Sequence, residues 1–306
     1  MQGFLIIDKP AGISSHDVVR RIRRVAGMRR VGHAGTLDPL ATGLLPIAIG
    51  DATRLIEYLA DREKGYSAVM RLGSETDTQD SEGVELAAGD WQTIDVAQVE
   101  RELAQFRGEI EQVPPMYSAL KKDGVPLYKL ARKGVEVERA VRKMVIHSLV
   151  MTRFAPPEVA FDVVCSKGTY VRTLCHDLGR KLGCFAHMVE LRRFLHGRFD
   201  LSMAVSLEEV EQRGTHGLPE LLLSPLTALN DMPRCIIAGE ACQRLLNGVP
   251  PVKEEVMIES GQCRSGELVV LVSGAHLLAV ARFEPQRQIE RRGDFRIEKV
   301  FYPQEE

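Results

Sequence analysis

A single carboxylate, Asp38, lies in a run rich in glycine, threonine and proline that extends from Gly32 to Gly43. No other acidic residue separates it from Asp17, and the stretch between them carries six basic residues, Arg20, Arg21, Arg23, Arg24, Arg29 and Arg30. Positive potential keeps a nearby carboxylate ionised and attracts polyanions. The pattern therefore indicates nucleophilic or base chemistry on a nucleic acid. The structural alternative is an ordinary Asp-Pro turn, because Asp caps local N–H groups and Pro fixes its own φ.

The residue spacing argues against several bound cofactors. A phosphate loop would end in Gly-Lys-Ser or Gly-Lys-Thr, and a dinucleotide site would place three glycines before a helix; the run around Asp38 has neither pattern. The six cysteines form no Cys-x-x-Cys pair and no zinc spacing with histidine. We therefore predict reduced thiols and no metal site.

Composition and charge distribution narrow the class of protein. Of the 306 residues 44% are hydrophobic and 27% are charged, which is typical of a globular protein. No apolar run is long enough to cross a bilayer, and the first residues are charged too early for a signal peptide, so we predict a cytoplasmic protein without a membrane partner.

The net charge of −2 argues against a polyanion partner, yet residues 119–143 hold eight basic against three acidic residues, and residues 166–198 hold seven against two. Local basic surfaces, not the net charge, decide phosphate contact.

Hydrophobic periodicity predicts both strands and helices around Asp38. Buried strands are predicted at residues 4–7, 44–49, 66–72, 135–154 and 159–165, and helices at 14–27, 127–134 and 171–183. The acidic residues between Glu75 and Glu85 predict a solvated loop. Because helices and strands follow no regular alternation, the order favours an α+β fold over a doubly wound one.

Five segments carry a resemblance to a known family. The run from Arg30 to Gly43, RVGHAGTLDPLATG, resembles the active-site motif of the TruB family of tRNA pseudouridine synthases. Four further matches follow the family's order along the chain, at residues 8–15 (DKPAGISS), 64–66 (KGY), 113–121 (VPPMYSALK) and 166–193 (SKGTYVRTL through LRR). Together these matches cover most of residues 3–200.

The resemblance implies a fold and a division of the chain. It implies an α+β catalytic domain over residues 1–233, with a mixed, largely antiparallel sheet flanked by helices, and an RNA-gripping insertion at about 84–130. Residues 234–306 resemble a PUA domain, a small β-barrel-like RNA-binding module. Residues 236–306 contain more acidic than basic residues, which leaves this module's share of RNA affinity open.

The resemblance also implies roles for individual residues. Catalysis would fall to Asp38, Arg172 and Tyr66. Arg172 would pair with Asp38 and lower its pKa, and Tyr66 would pack on the target uracil and handle the proton at C5. The substrate-binding residues would be His33, Tyr66, Tyr170 and Leu191. The structural alternative for Tyr66, Tyr170 and Leu191 is core packing. His33 would then be an ordinary loop histidine, and Arg172 an ordinary surface arginine.

The substrate implied by the resemblance is the uridine at position 55 in the T-loop of tRNA. The reaction is an isomerisation in which no electron, phosphate or external group is gained or lost, so we expect no cofactor. The RNA backbone would be contacted by Lys121, Lys122, Lys129, Arg132 and Lys133. We expect a monomer without an obligatory protein partner. Two alternatives are a guide-RNA-dependent relative that needs partner proteins, and a protein that acts mainly as a tRNA-folding chaperone.

Overall fold

The computed structural model describes residues 1–285 and 293–302. Its α-helices in chain order are α1 (Ser15–Ala26), α2 (Ile56–Ala60), α3 (Val96–Ala104), α4 (Leu127–Ala131), α5 (Val171–Leu182), α6 (Leu207–Gly217), α7 (Pro225–Ala228) and α8 (Gly239–Leu246). Short 3-10 helices occupy Gly50–Leu55, Leu201–Met203, Leu218–Leu221 and Lys253–Glu255. Within the described ranges, no helix has the length and apolar character needed to cross a membrane.

The strands fall into a large N-terminal group and a smaller C-terminal group. The first group is β1 (Gly3–Lys9), β2 (Val31–His33), β3 (Thr42–Ile49), β4 (Lys64–Leu72), β5 (Ser74–Thr76), β6 (Glu85–Ala88), β7 (Gly108–Gln112), β8 (Lys121–Lys122), β9 (Val125–Pro126), β10 (Arg142–Ala155), β11 (Glu158–Cys165), β12 (Ala186–His196), β13 (Phe199–Asp200) and β14 (Val205–Ser206). The second group is β15 (Arg234–Ile237), β16 (Val256–Ser260), β17 (Leu268–Ser273), β18 (His276–Phe283) and β19 (Phe295–Val300).

One large sheet forms the framework of the N-terminal part. In the described part of the chain its strand order is β14-β1-β3-β12-β4-β11-β10-β7, with β2 beside β3 and β13 beside β12. The β1–β14 and β3–β12 pairs are parallel, and the other pairs of this sheet are antiparallel. Helices α1, α3, α5 and α6 bury apolar side chains in the same cluster as the sheet. The predicted α+β fold with a mixed, largely antiparallel sheet is confirmed.

Local signals fix the ends of α1 where the sequence predicts them. The Ser14 hydroxyl accepts from the Asp17 amide at 3.2 Å, and the Asp17 carboxylate accepts from the Ser14 amide at 2.9 Å, which completes a capping box. Gly27 ends the helix in the left-handed region, with φ of 61°. Val18 and Ile22 face the core, so the arginines of this helix lie on the opposite side.

The predicted strand over residues 135–154 is only partly correct. Strand β10 begins at Arg142, and residues 135–141 belong to no strand. Among the described residues no strand pairs with this stretch, and the Glu138 carbonyl accepts a hydrogen bond from Lys122 Nζ at 3.4 Å. We refer to residues 113–141 as the 113–141 segment; it contains the β8–β9 hairpin and α4 and is mostly exposed. Upstream of it, α3 and β7 pack on the main sheet.

The C-terminal strands form a second sheet, in the order β16-β15-β17-β18-β19. Its own core includes Cys235, Leu245 and Leu271. A separate apolar cluster joins it to the main sheet, with Phe4 on one side and Val270 on the other. Strands β16 and β19 are the two ends of this order, and the described residues form no closed barrel. The predicted barrel-like closure is therefore not seen in the described residues.

Candidate active site

Asp38 lies on the loop between β2 and β3, and this loop is fixed at both ends. The Ser15 hydroxyl accepts from the Leu37 amide at 2.8 Å and lies 3.1 Å from the Leu37 carbonyl, to which it donates. At the other end Gly43 has φ of 94°, and a Cβ there would lie 2.3 Å from the Arg193 carbonyl oxygen. Only glycine allows β3 to approach β12 this closely. The carboxylate therefore sits on a constrained turn.

A buried lysine joins this turn to the N-terminal loop. Lys9 Nζ donates to the carbonyls of Pro10 at 2.8 Å, Ile13 at 2.8 Å and Pro39 at 3.2 Å. Burial lowers the pKa of Lys9 to about 8, and the charge of Asp38 opposes that change. Lys9 thus holds two loops together and adds positive charge near Asp38.

Arg172 is the cationic partner of Asp38. Its Nη2 lies 3.3 Å from Asp38 Oδ2, and its Nη1 lies 3.4 Å from Asp80 Oδ2. Nη2 also donates to the Tyr117 carbonyl at 2.7 Å. The Arg172 side chain is 7% exposed and that of Asp38 is 35% exposed. The guanidinium therefore forms the floor of the site, and the carboxylate stays open to a substrate.

The pKa of Asp38 is set by opposing effects. Burial raises it and is the largest effect; Asp80 raises it further, while Arg172 and Lys9 act to lower it. Arg172 acts on the pKa of Asp38 in the predicted direction, but burial outweighs it, so the pKa is raised overall. A carboxylate with a raised pKa is a stronger base than a free aspartate.

Asp80 is a site residue that the sequence analysis missed. It lies in the acidic stretch that we predicted to be a solvated loop, and that prediction is wrong for Asp80 and Glu75, which are buried. Both face α5: Glu75 accepts a bidentate pair from Arg180 at 2.8 and 2.9 Å, and Asp80 meets Arg172. The available signal was the spacing of Arg172, His176 and Arg180, which places basic side chains on one helix face.

We expect Asp80→Asn to lower turnover by roughly 10- to 100-fold with little change in RNA affinity. The amide keeps the size of the side chain but removes the charge that fixes Arg172 Nη1, so the guanidinium is less well aligned with Asp38. Single-turnover kinetics and equilibrium binding separate the two effects. Glu85→Gln, at an exposed acid of the same stretch, is the matched control. Equal turnover in both variants would remove Asp80 from the site.

The aromatic and aliphatic candidates lie on elements next to the Asp38–Arg172 pair. Tyr66 is on β4 and Leu191 on β12, and both are buried. Tyr170 is the residue before α5, with its ring centroid 5.8 Å from Arg172 Cζ. Burial raises the pKa of both tyrosines, so each is a neutral phenol at neutral pH. The charge of Asp38 acts to raise the pKa of both tyrosines, which places them near its carboxylate.

His33 lies at the end of β2, on the loop side of the site. Its ring meets that of His16 edge-on, with 6.2 Å between centroids. Burial, His16 and Arg193 all lower the pKa of His33, so its imidazole is neutral at pH 7. Its Nδ1 has no hydrogen-bond partner among the described residues.

The basic residues predicted to contact RNA are all exposed on the 113–141 segment, namely Lys121, Lys122, Lys129, Arg132 and Lys133. The segment contacts the site through the Tyr117 carbonyl, and Leu127 anchors it by burial. The six arginines between Asp17 and Asp38 are not all free to supply positive potential. Three of them pair with carboxylates, in the pairs Arg20–Asp17, Arg21–Glu211 and Arg30–Asp51.

Comparison with known proteins identifies the family. The model of the TruB family pseudouridylate synthase N-terminal domain matches residues 23–171, and that of the tRNA pseudouridylate synthase B C-terminal domain matches residues 172–228. The chain belongs to the TruB family of pseudouridylate synthases. A TruB relative from Syntrophotalea carbinolica, named tRNA pseudouridine synthase B, is 50% identical over 98% of both chains. Another of that name, from Pseudomonas aeruginosa, is 51% identical over 72% of this chain and 73% of its own.

A solved structure supports the same assignment at the level of the fold. The TruB-family chain described here superimposes with a TM-score of 0.76 on a chain from a structure titled as a Cbf5-Nop10-Gar1 complex. The two are 26% identical, and the match covers 98% of this chain and 85% of the other. In the described residues, no group of His, Cys, Asp and Glu side chains is arranged to hold a metal ion.

Proposed function

We propose that this chain converts the uridine at position 55 in the T-loop of tRNA to pseudouridine. The observation that carries the proposal is the contact between an open carboxylate, Asp38, and a buried guanidinium, Arg172, beside two tyrosines. The relatives named tRNA pseudouridine synthase B support tRNA as the substrate.

The proposed chemistry needs one carboxylate and no external group. The C1′–N1 bond breaks, the uracil turns, C1′ bonds to C5, the C5 proton leaves and N1 gains a proton. Asp38 either attacks the nucleoside covalently or removes a proton from the sugar. Arg172 fixes the direction in which the carboxylate points, which matters for both routes. The raised pKa of Asp38 suits a group that must give up its charge during the reaction.

A uridine in a folded loop must leave its stack to reach Asp38, at a cost of a few kcal/mol. In the proposed complex Tyr66 packs on the uracil, and Tyr170 and Leu191 contact it from the walls. His33 occupies the space that the flipped base leaves, and its neutral imidazole stacks on the remaining bases. These contacts offset the lost stacking.

The test is to map modified uridines in an unmodified tRNA transcript after incubation with the purified chain. We expect pseudouridine at position 55 and at no other uridine of the T-loop. A transcript with cytidine at that position is the control. Modification elsewhere, or none, would contradict the proposal.

The same assay distinguishes a self-sufficient enzyme from a guide-dependent one. Identity of 50% to a tRNA pseudouridine synthase B, against 26% to the chain from the Cbf5-Nop10-Gar1 structure, favours the self-sufficient type. We therefore propose a monomer that acts without a protein partner or guide. Activity that appears only after adding a guide RNA and partner proteins would overturn this.

We propose that residues 1–233 form the catalytic domain, with an RNA-gripping insertion at about 84–130, and that residues 234–306 form a PUA-like RNA-binding module. The separate apolar core of the C-terminal sheet supports the boundary. The apolar cluster shared with the main sheet supports a fixed position of the module on the catalytic domain.

We expect the double variant Lys129→Ala, Lys133→Ala to bind tRNA more weakly and with a smaller salt dependence. Each lost phosphate contact should reduce the slope of log K against log salt by about 1. Binding isotherms at several salt concentrations measure the slope. Lys143→Ala, at an exposed lysine that pairs with Glu109, is the control. An unchanged slope in the double variant would place RNA elsewhere.

A further inference from the structure

Arg193 is a completely buried arginine beneath the site, at 0% exposure. Its Nε donates to the Leu44 carbonyl at 2.7 Å, and its Nη2 donates to the Gly35 carbonyl at 3.1 Å. Within residues 1–285 and 293–302, no carboxylate lies within ion-pair distance of it, and Nη1 has no hydrogen-bond partner. A buried guanidinium without a carboxylate is unfavourable to the fold. A neighbouring side chain that becomes negatively charged would offset this cost.

The sheet places Tyr66 next to this guanidinium. Arg193 on β12 and Tyr66 on β4 are directly opposite residues in the antiparallel pairing. Opposite residues project to the same face and lie near each other. Leu191 shares that face with Arg193, since the two are separated by one residue and the pairing is regular between them. The guanidinium and the phenol therefore adjoin the wall that would hold the uracil.

Two glycines allow the neighbouring backbone to pass close to Arg193. Gly35 has φ of 101°, and a Cβ there would lie 3.6 Å from Arg193 Nη1 and 3.0 Å from His196 Cε1. On the other side, Gly43 brings β3 against the Arg193 backbone. These contacts hold the guanidinium in one place, so its free Nη1 is a preorganised donor.

We propose that Arg193 is a positioning residue for the proposed reaction: it holds the Tyr66 oxygen and stabilises its phenolate form for removal of the C5 proton. The inference rests on the proposed function. The two side chains lie close enough to act on each other: burial lowers the pKa of Arg193, and the Tyr66 phenol acts to raise it. Burial and the charge of Asp38 raise the pKa of Tyr66, while Arg193 acts to lower it.

The proposed step is balanced in protons and electrons. Tyr66, a neutral phenol before the step, first releases its proton to water, and Arg193 stabilises the phenolate that then reacts. The C5–H bond breaks and its electron pair forms the C5–C6 double bond, while the N1–C6 double bond opens and N1 takes a proton from water. The C5 proton moves to the Tyr66 oxygen. Nothing outside the site and solvent is consumed.

The experiment compares Arg193→Gln with the wild-type chain on two labelled tRNAs. On tRNA deuterated at C5 of uridine, we expect Arg193→Gln to show an isotope effect of roughly 2 or more on turnover, because C5 deprotonation has become limiting. 5-Fluorouridine has no C5 proton to lose. On tRNA that contains it, the rate at which Arg193→Gln reaches C1′–C5 bond formation should stay within about 3-fold of the wild-type rate. Tyr66→Phe should behave in the same way.

A purely structural role gives a different result. Arg193→Gln would then lose activity equally on uridine and 5-fluorouridine, with no isotope effect, and the proposal would be overturned. If Arg193→Gln does not fold, Arg193→Lys is used in its place. We expect a smaller isotope effect in Arg193→Lys, and no isotope effect would count against the proposal. Wild-type activity on unlabelled tRNA is measured first. A wild-type chain without activity would contradict the proposed function. An active wild-type chain with an Arg193 variant that shows no isotope effect would contradict only the role of Arg193.

Discussion

Asp38→Asn is expected to abolish pseudouridine formation, with a loss in turnover of at least about 10⁴-fold, while tRNA binding survives. The amide is close in size to the carboxylate but can neither attack the nucleoside nor accept a proton from the sugar. Mapping of modified uridines measures the product, and equilibrium binding measures affinity. Asp61→Asn, at an exposed acid that pairs with Lys167, should behave as wild type. Turnover retained by Asp38→Asn would exclude Asp38 from the mechanism.

Thermal unfolding shows whether lost activity in Asp38→Asn reflects lost structure. The pKa of Asp38 is raised in the folded state, so the folded chain binds more protons than the unfolded chain between the two pKa values. Stability therefore falls as pH rises through that interval, and the ionised carboxylate is destabilising at neutral pH. Asp38→Asn should melt at a higher temperature than wild type at pH 7.5, with a smaller difference near pH 4. A lower melting temperature at both pH values would indicate a structural role.

The same variant separates chemistry from tRNA folding. A pocket that extrudes a T-loop base opens the loop whether or not the base then reacts. If the chaperone role is real, Asp38→Asn should rescue misfolded tRNA as well as wild type does. Failure to rescue, with tRNA binding intact, would tie any folding effect to modification itself.

Local sequence was sufficient to predict α1 and the turn that carries Asp38. The Ser14–Asp17 capping box and Gly27 depend on neighbours within a few residues, and the structure contains both. The proximity of Arg172 to Asp38 was implied by the family resemblance, not by spacing. No periodicity relates two residues this far apart in sequence, because their contact depends on how the sheet arranges β3, β4 and β12.

The missed features depend on contacts between distant segments. Asp80 was assigned to solvent because its surroundings in sequence are polar, and its burial follows from the packing of its loop on α5 and β12. Arg193 was part of a matching motif, yet its burial without a carboxylate appears only once β12 is paired with β4. The sign of the Asp38 pKa shift likewise depends on desolvation, which no sequence pattern reports.

Arg172→Ala is expected to lower turnover far more than tRNA affinity, by roughly 100- to 1000-fold against a few-fold. The variant leaves Asp38 and Asp80 without the guanidinium that bridges them, and the Tyr117 carbonyl loses a donor. Because Arg172 is the largest influence lowering the pKa of Asp38, its loss raises that pKa further. The reaction requires the ionised form, so the acidic limb of the turnover profile should move to higher pH.

The pH profile distinguishes this role from a general loss of positive charge. Lys143→Ala removes one exposed charge and should leave both turnover and the acidic limb unchanged. Arg172→Lys restores the charge, but an ammonium lacks the planar fork that reaches both carboxylates. It should therefore return the limb toward the wild-type position while recovering only part of the turnover. Equal losses in Arg172→Ala and Lys143→Ala, with no shift of the limb, would show that Arg172 acts only by attracting RNA.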